Sequence, residues 1–410
     1  MRALTYQVRP VQWVFRRLLG AVSPYAYYGP WAALQLHHDI PVPPLPGPRW
    51  VRLKTRLGGV CGTDVALIAQ RMHPGSFLNL FSGFPAVLGH ENVAVIEAVG
   101  NDVGGWQVGQ RVCVEPAIGC YGREVEPCPE CLAGRPALCR HPGDDRLPPR
   151  AMLGLNRTTG GSWGEYFVAH ETQLHAVPET LSDDAAILVD PLASAAHAVL
   201  RRRPLPGERV LVSGSGVIAL GTIAAIRALG LDNEVSVLIR QPRRAETAIR
   251  LGADRQIIVP RGTRAADRYE AVAAALGVPR RTGRFGNQVL LDGYDLTYDC
   301  TGSGGGFTDA LKWTRSRGTV VLVGTTGIGL VDTTPIWFNE LSVLGTNGRQ
   351  VEMADGRQQH TYDLILDWLG SGRLDWRAIP VTRYRLADYR RAFGDLLGRS
   401  RSVLKAAFEP

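Results

Sequence analysis

From residue 209 to residue 323 the chain alternates short apolar runs with longer amphipathic stretches, and few architectures accept that rhythm. The run Arg209-Val210-Leu211-Val212 reads as a strand, Ser213-Gly214-Ser215-Gly216 as a glycine turn, and residues 218–229 as an apolar helix. Residues 235–239, 256–259, 296–299 and 319–323 read as further strands. Helices are expected over 243–251, 266–276 and 308–315, and another over 184–200 leads into the series. Strands and helices at this spacing build a parallel sheet covered on both faces.

The first half has a different texture. It is rich in Gly and Pro, with short β-type segments such as Trp50-Val51-Arg52-Leu53-Lys54 and Val93-Ala94-Val95-Ile96. These predict a barrel-like β domain with long loops. A chain of 410 residues is too long for one small core. The expected α/β organisation is therefore two domains, residues 1–195 with 350–410 returning to them, and residues 196–349. The expanded stretch over 260–293 reads as a solvated surface loop beyond its helix.

The net charge of +8 is carried by scattered arginines, with no basic run interleaved with aromatics. That weighs against nucleic-acid binding; an anionic cofactor accounts for the balance equally well. Near the N-terminus Trp13, Phe15, Leu18 and Leu19 are interrupted by Arg16-Arg17, so no apolar run approaches the ~18 residues that span a bilayer. Without a secretory start, the seven cysteines read as reduced thiols of a cytoplasmic protein.

Those cysteines are not evenly spread. Cys128-Pro-Glu-Cys131 is a short metal knuckle, Cys139 follows it, and Cys120 precedes it across a charged insert, Arg123-Glu124-Val125-Glu126. Four thiolates satisfy the tetrahedral preference of zinc and leave no open position. The displacement of Cys120 leaves a three-thiolate site or a metal-free loop as alternatives. Upstream, Cys61-Gly62-Thr63-Asp64 and Gly89-His90-Glu91 supply a second donor set. With Asp190 as the expected third ligand, Cys61 and His90 would hold a zinc with one position open for substrate. Glu91 could also approach that metal. Each has a bland reading: His90 as a hydrogen-bonded core group, and Asp190 before Pro191 as a turn cap.

The turn Gly214-Ser215-Gly216-Val217-Ile218 joins a strand to a helix, a setting in which a pyrophosphate meets free helix N–H groups. Ala219 stands where the fingerprint permits Gly or Ala. The next strand ends at Ile239-Arg240-Gln241-Pro242-Arg243-Arg244. No carboxylate is there to take ribose hydroxyls, while Arg240, Arg243 and Arg244 could hold a 2′-phosphate. NADP is thus expected over NAD; a solvated helix start is the other reading of these arginines.

With these residues in hand, the chain resembles the zinc-dependent medium-chain alcohol dehydrogenases, closest to their polyol and sugar branch. The likeness runs through Met1-Arg2-Ala3-Leu4, Cys61-Gly62-Thr63-Asp64, Phe84-Pro85, Gly89-His90-Glu91, Val108-Gly109-Gln110-Arg111-Val112, Gly164-Glu165-Tyr166 and Asp190-Pro191-Leu192. It continues through the turn at Gly214, Asp299-Cys300-Thr301-Gly302, Val323-Gly324 and Lys405. The resemblance implies a GroES-like catalytic domain from both chain ends, a central Rossmann domain, and an active site between them. It implies catalytic-zinc ligands at Cys61, His90 and Asp190, a substrate-proton acceptor at Thr63, and at Asp64 an acid that orients a ligand histidine. Cys128, Cys131 and Cys139 fall on structural-zinc thiolates, with Cys120 as the displaced first member. Thr301, Gly302, Gly324 and Asn347 fall near the cofactor. Relatives are commonly dimers or tetramers, so a homo-oligomer is expected.

Two departures stand out. Ala66 occupies the place of a relay histidine, so the substrate proton needs another exit. The segment before Cys61 is about twenty residues longer than usual and rich in Trp, Tyr and Phe. A flap over the cleft, a partner surface, packing on its own domain, and a membrane-surface helix over 13–19 are its readings. The expected activity is reversible oxidation of a secondary alcohol, a polyol, sugar or cyclitol. The alternatives are reduction of an activated C=C or C=N bond, and a non-catalytic binding role on the same fold.

Overall fold

The computed structural model describes residues 1–7, 10–325, 327–398 and 402–410. Six strands form a parallel sheet in the spatial order Arg255–Ile258, Val235–Ile239, Val210–Ser213, Tyr294–Asp299, Thr314–Leu322, Ser342–Gly345. The first strand in sequence is therefore central, and the order reverses beside it. Such a reversal opens a crevice at the carboxyl ends of the strands, where doubly wound sheets bind ligands. Val210, Leu211 and Val212 are all buried, as a strand covered on both faces requires. The helices Val189–Arg201 and Val217–Ala228 cover one face.

A second, seven-stranded sheet is drawn from both ends of the chain. Its path runs Val381–Arg385, Lys405–Glu409, Trp50–Val60, Asn92–Val99, Arg111–Val114, Leu174–Ala176, with Tyr166–His170 paired to Trp50–Val60. Lys405–Glu409 pairs antiparallel with Trp50–Val60, so the last residues of the chain lie beside the strand that leads to Cys61. Fully buried Trp163 donates Nε1 to the Gly59 carbonyl at 2.9 Å and fixes the end of that strand.

The strand–helix rhythm appears where the sequence places it, with three differences. The helix expected over 308–315 is Gly304–Trp313, and Thr314 and Arg315 already belong to the strand Thr314–Leu322. The helix expected over 184–200 is two helices, Asp183–Ala186 and Val189–Arg201, separated at Ile187-Leu188. Ser182 caps the first through a bond from the Ala185 N–H. The stretch 260–293 is not a solvated loop. The helix Ala265–Leu276 buries Tyr269, Val272 and Ala273, and an antiparallel hairpin, Arg280–Thr282 with Gln288–Leu290, closes over it through Leu290. Its arginines are what the sequence shows; Leu290 and Tyr294 are what hold it down.

Candidate active site

The strand Trp50–Val60 ends at Cys61, which caps the short helix Gly62–Ile68. The Asp64 carboxylate accepts the Cys61 N–H at 3.0 Å, which secures the turn, and its other oxygen lies 3.6 Å from His90 Nδ1. Asp64 thus stands beside the imidazole, whose buried Nδ1 has no hydrogen-bond partner. Cys61, His90 and Glu91 bring one sulfur, nitrogen or oxygen atom each within 4.8 Å of one another. This soft–borderline–hard donor set fits zinc. Burial raises the Cys61 thiol, and the nearby Lys405 ammonium opposes the rise.

Glu91 is also the partner of Lys405 in a fully buried ion pair. Only glycine at 59 leaves room for it, since a Cβ there would lie 2.4 Å from the Glu91 carboxylate. Burial pulls Lys405 down to about 8, opposed by Cys61 and Asp64.

Asp190, the expected third ligand, is not in this group. Its carboxylate forms a buried ion pair with Arg349 and accepts the Tyr362 hydroxyl at 2.6 Å. Arg349 follows two residues after Asn347, and Tyr362 lies in the first turn of the helix Thr361–Gly370. Both lie over 150 residues from Asp190 in sequence, so no spacing pattern points to the pairing. Glu115, pushed up to about 8 by burial against the opposing charge of Arg349, stands near the same cluster. None of Arg349, Tyr362 and Glu115 carries a motif of its own.

Thr63 reaches the facing domain, where its hydroxyl lies 3.2 Å from that of Thr325, just past Gly324. Gly214 adopts φ +129°, a backbone closed to other residues, and Gly216 begins the helix Val217–Ala228 with open space where a Cβ would stand. The turn from Gly214 through Ser215 to Val217 and Ile218 is thus clear for a phosphate to approach. Thr301 and Gly302 follow Tyr294–Asp299, with the Thr301 hydroxyl bound to Asp299 at 2.7 Å. Asn347 is exposed. The three arginines divide. Arg240 follows Val235–Ile239 and Arg243 is exposed, whereas Arg244 donates to the Ser215 carbonyl at 2.7 Å and to Val403 O at 3.2 Å. Arg244 braces the glycine turn.

The second cluster is complete. Cys120, Cys128, Cys131 and Cys139 bring their sulfurs within 4.8 Å of one another, and Cys120 Sγ lies 3.5 Å from Cys139 Sγ. The charged insert that made Cys120 ambiguous is taken up by a one-turn helix, Tyr121–Arg123, and a left-handed Glu124. Backbone N–H groups of Cys120, Cys128, Arg140 and His141 point at the sulfurs, the support that thiolates need around a metal. Burial raises the Cys128 thiol, but bonds from Arg140 and the neighbouring cysteines outweigh it and bring it to about 6. The four-thiol set fits a closed zinc site.

Residues 47–179 match the family model described as the alcohol dehydrogenase GroES-like domain, and residues 217–370 the one described as zinc-binding dehydrogenase. An L-threonine 3-dehydrogenase of Anaeromyxobacter sp. (strain K) is 30% identical over 90% of this chain and 93% of its own. A sorbitol dehydrogenase of Arabidopsis thaliana is 31% identical over 83% of each. The chain belongs to the zinc-dependent medium-chain alcohol dehydrogenase family. It is an oxidoreductase with a GroES-like catalytic domain and a nicotinamide-binding domain. An L-idonate 5-dehydrogenase of Vitis vinifera is 30% identical over 88% of each chain. Among solved structures, 2R,3R-butanediol dehydrogenase of Bacillus subtilis superposes with a TM-score of 0.67 at 24% identity over 92% of this chain and 96% of its own. A zinc-binding dehydrogenase of Sinorhizobium meliloti 1021, bound to NADP, gives 0.68 at 24% over the same shares.

Proposed function

We propose that this dehydrogenase reversibly oxidises a secondary hydroxyl of a polyol, sugar or cyclitol, with NADP as the preferred cofactor and one zinc in each of its two donor clusters. The observation that carries the reading is the convergence of Cys61, His90 and Glu91 beside Thr63, whose hydroxyl meets that of Thr325. The names of the relatives point the same way, to interior carbons: carbon 3 of threonine, carbon 5 of idonate, carbons 2 and 3 of butanediol.

Bound at Cys61, His90 and Glu91, zinc would act as a Lewis acid on the hydroxyl, and the nicotinamide would accept the hydride. The chain's own residues do the rest. Asp64 secures the Cys61 turn through its N–H, Lys405 balances Glu91, and Thr63 would offer its hydroxyl oxygen to the substrate proton. The turn at Gly214 and Gly216 would admit the pyrophosphate, and Arg240 and Arg243 are the cations that would meet a 2′-phosphate. Cys120, Cys128, Cys131 and Cys139 clamp a loop with little core of its own. Asp190, held by Arg349 and Tyr362, shapes the wall beside the donor set.

The test is Cys61→Ser, assayed across a polyol, sugar and cyclitol panel with both cofactors. Turnover should disappear, one equivalent of zinc should be lost, and NADP affinity should stay within about threefold of wild type. Wild-type turnover in this variant refutes the reading.

A further inference from the structure

Arg240 does not stand alone at its end of the nucleotide groove. Val235–Ile239 and Arg255–Ile258 are adjacent parallel strands, and the Val259 N–H donates to the Ile239 carbonyl at 2.8 Å. Arg240 and Arg261 therefore leave the carboxyl ends of neighbouring strands, on the rim of the crevice where a doubly wound sheet holds its ligand. The glycine turn that would seat the pyrophosphate follows Val210–Ser213. Arg240 lies one strand beyond that turn and Arg261 two, on the side where the adenosine ribose is held.

A third cation comes from the other domain. The helix Gly62–Ile68 faces the nucleotide-binding domain at its start, where Thr63 meets Thr325. Past its end Gln70 turns left-handed, at φ +50°, and the Arg71 N–H donates back to the Ala66 carbonyl at 2.8 Å. Arg17, on the added N-terminal helix Pro10–Val22, donates to the Gln70 carbonyl at 2.9 Å and secures this turn. The turn presents Arg71 to the nucleotide-binding domain, near enough to Arg261 for their charges to act on each other. Desolvation first, then the like charges of Arg71 and Arg240, hold Arg261 below the ordinary arginine value. Desolvation lowers Arg71 as well, opposed by Tyr27 and aided by Arg17.

Counter-ions are present nearby, but on other arginines. Arg264 pairs with Asp267, Arg268 with Asp309, and Arg255 with Glu234. Among the described residues Arg71, Arg240 and Arg261 form no ion pair and no side-chain hydrogen bond. The acids that Arg240 faces are Asp299 and Asp309, and both are engaged elsewhere, Asp299 by Thr301 and Asp309 by Arg268 and Tyr269. Three guanidinium groups from three loops, gathered without a carboxylate, repel one another until an anion enters. A phosphate monoester carries about −1.5 to −2 charges at pH 7, and each guanidinium can give it two parallel N–H bonds.

We propose that Arg71, from the catalytic domain, closes with Arg240 and Arg261 on the 2′-phosphate of NADP, so that this cofactor, unlike NAD, ties the two domains together at its adenosine end. The bridge rests on the NADP preference proposed above and adds to it two residues, Arg71 and Arg261, that lie outside the strand-end motif.

The experiment is calorimetric titration of the full chain with 2′,5′-ADP, 5′-AMP, NADP and NAD, in wild type, Arg71→Gln, Arg261→Gln and Arg240→Ala. The two fragments carry no nicotinamide, so they report on the adenosine end without the alcohol chemistry. Wild type should bind each 2′-phosphorylated ligand at least about tenfold more tightly than its counterpart. Arg71→Gln and Arg261→Gln should each weaken 2′,5′-ADP and NADP by about tenfold and leave 5′-AMP and NAD within about twofold. Both side chains are exposed, so the melting temperature of the cofactor-free variants should hold. If wild type shows no preference for the 2′-phosphorylated ligands, the NADP reading and the bridge fall together. If wild type shows the preference, Arg240→Ala removes it and Arg71→Gln leaves it intact, the NADP reading stands and the bridge is refuted.

Discussion

Thr63 and Thr325 meet hydroxyl to hydroxyl at 3.2 Å across the cleft, one from the catalytic domain and one from the nucleotide-binding domain. Thr63 follows the donor Cys61 by two residues, so the contact ties the cofactor-side loop to the metal-binding turn. A proton leaving the substrate needs an oxygen here, and Ala66 offers none nearby. Thr63→Val should therefore lower kcat by about 10²–10⁴-fold. Thr63→Ser, which keeps the oxygen, should retain most of the rate. Steady-state kinetics with NADP binding measured separately distinguishes lost chemistry from a lost cofactor.

Local signals in the sequence carried far, and they stop where partners lie distant in the chain. The turn at Gly214 and the knuckle at Cys128 and Cys131 are short-range patterns, each legible because its chemistry needs a fixed spacing, whereas Cys61 and His90 stand in two separate motifs that the family resemblance joins. Asp190 has the right neighbours in sequence, but its environment is set by Arg349 and Tyr362, 159 and 172 residues away. Glu91 is a donor candidate by adjacency to His90, and its pairing with Lys405, 314 residues on, needs the antiparallel contact of the last strand with Trp50–Val60. Cys120 was ambiguous because an insert lengthens the loop, and loop length costs little when both ends are anchored.

The Asp190–Arg349 pair makes a stability prediction. Both groups are buried, so removing one leaves the other charge without compensation. Arg349→Met should destabilise the protein by about 3–5 kcal/mol. Asp190→Leu combined with Arg349→Met should recover much of that loss, since the buried charge is then gone. Urea unfolding of the two single variants and the double variant measures the coupling. Additive losses would mean the pair acts as two independent contacts.

The arginines after Val235–Ile239 should separate by role. Arg240→Ala should weaken NADP by about 10–100-fold, the worth of a charge-assisted bond to phosphate, and leave NAD unchanged. Arg244→Ala should weaken both cofactors alike, because Arg244 holds the Ser215 carbonyl of the turn that both share. Dissociation constants for the two cofactors against each variant decide it. An Arg240→Ala variant with undiminished preference would move the selectivity elsewhere.

His170 predicts a pH dependence away from the active site. It is fully buried on the strand Tyr166–His170, its Nδ1 lies 2.9 Å from the Thr172 hydroxyl, and its Nε2 has no partner. Burial, aided by Arg49, pulls it from 6.5 down to about 4. Between those values the unfolded chain binds a proton that the folded chain refuses. The stability is whole above pH 6.5 and is lost as pH falls toward 4, by up to about 3 kcal/mol from this residue. In His170→Gln, which cannot take up a proton, urea midpoints should fall less steeply over that window than in wild type, even if the variant is weaker at neutral pH. Parallel slopes in the two proteins would assign the acid loss to carboxylates instead.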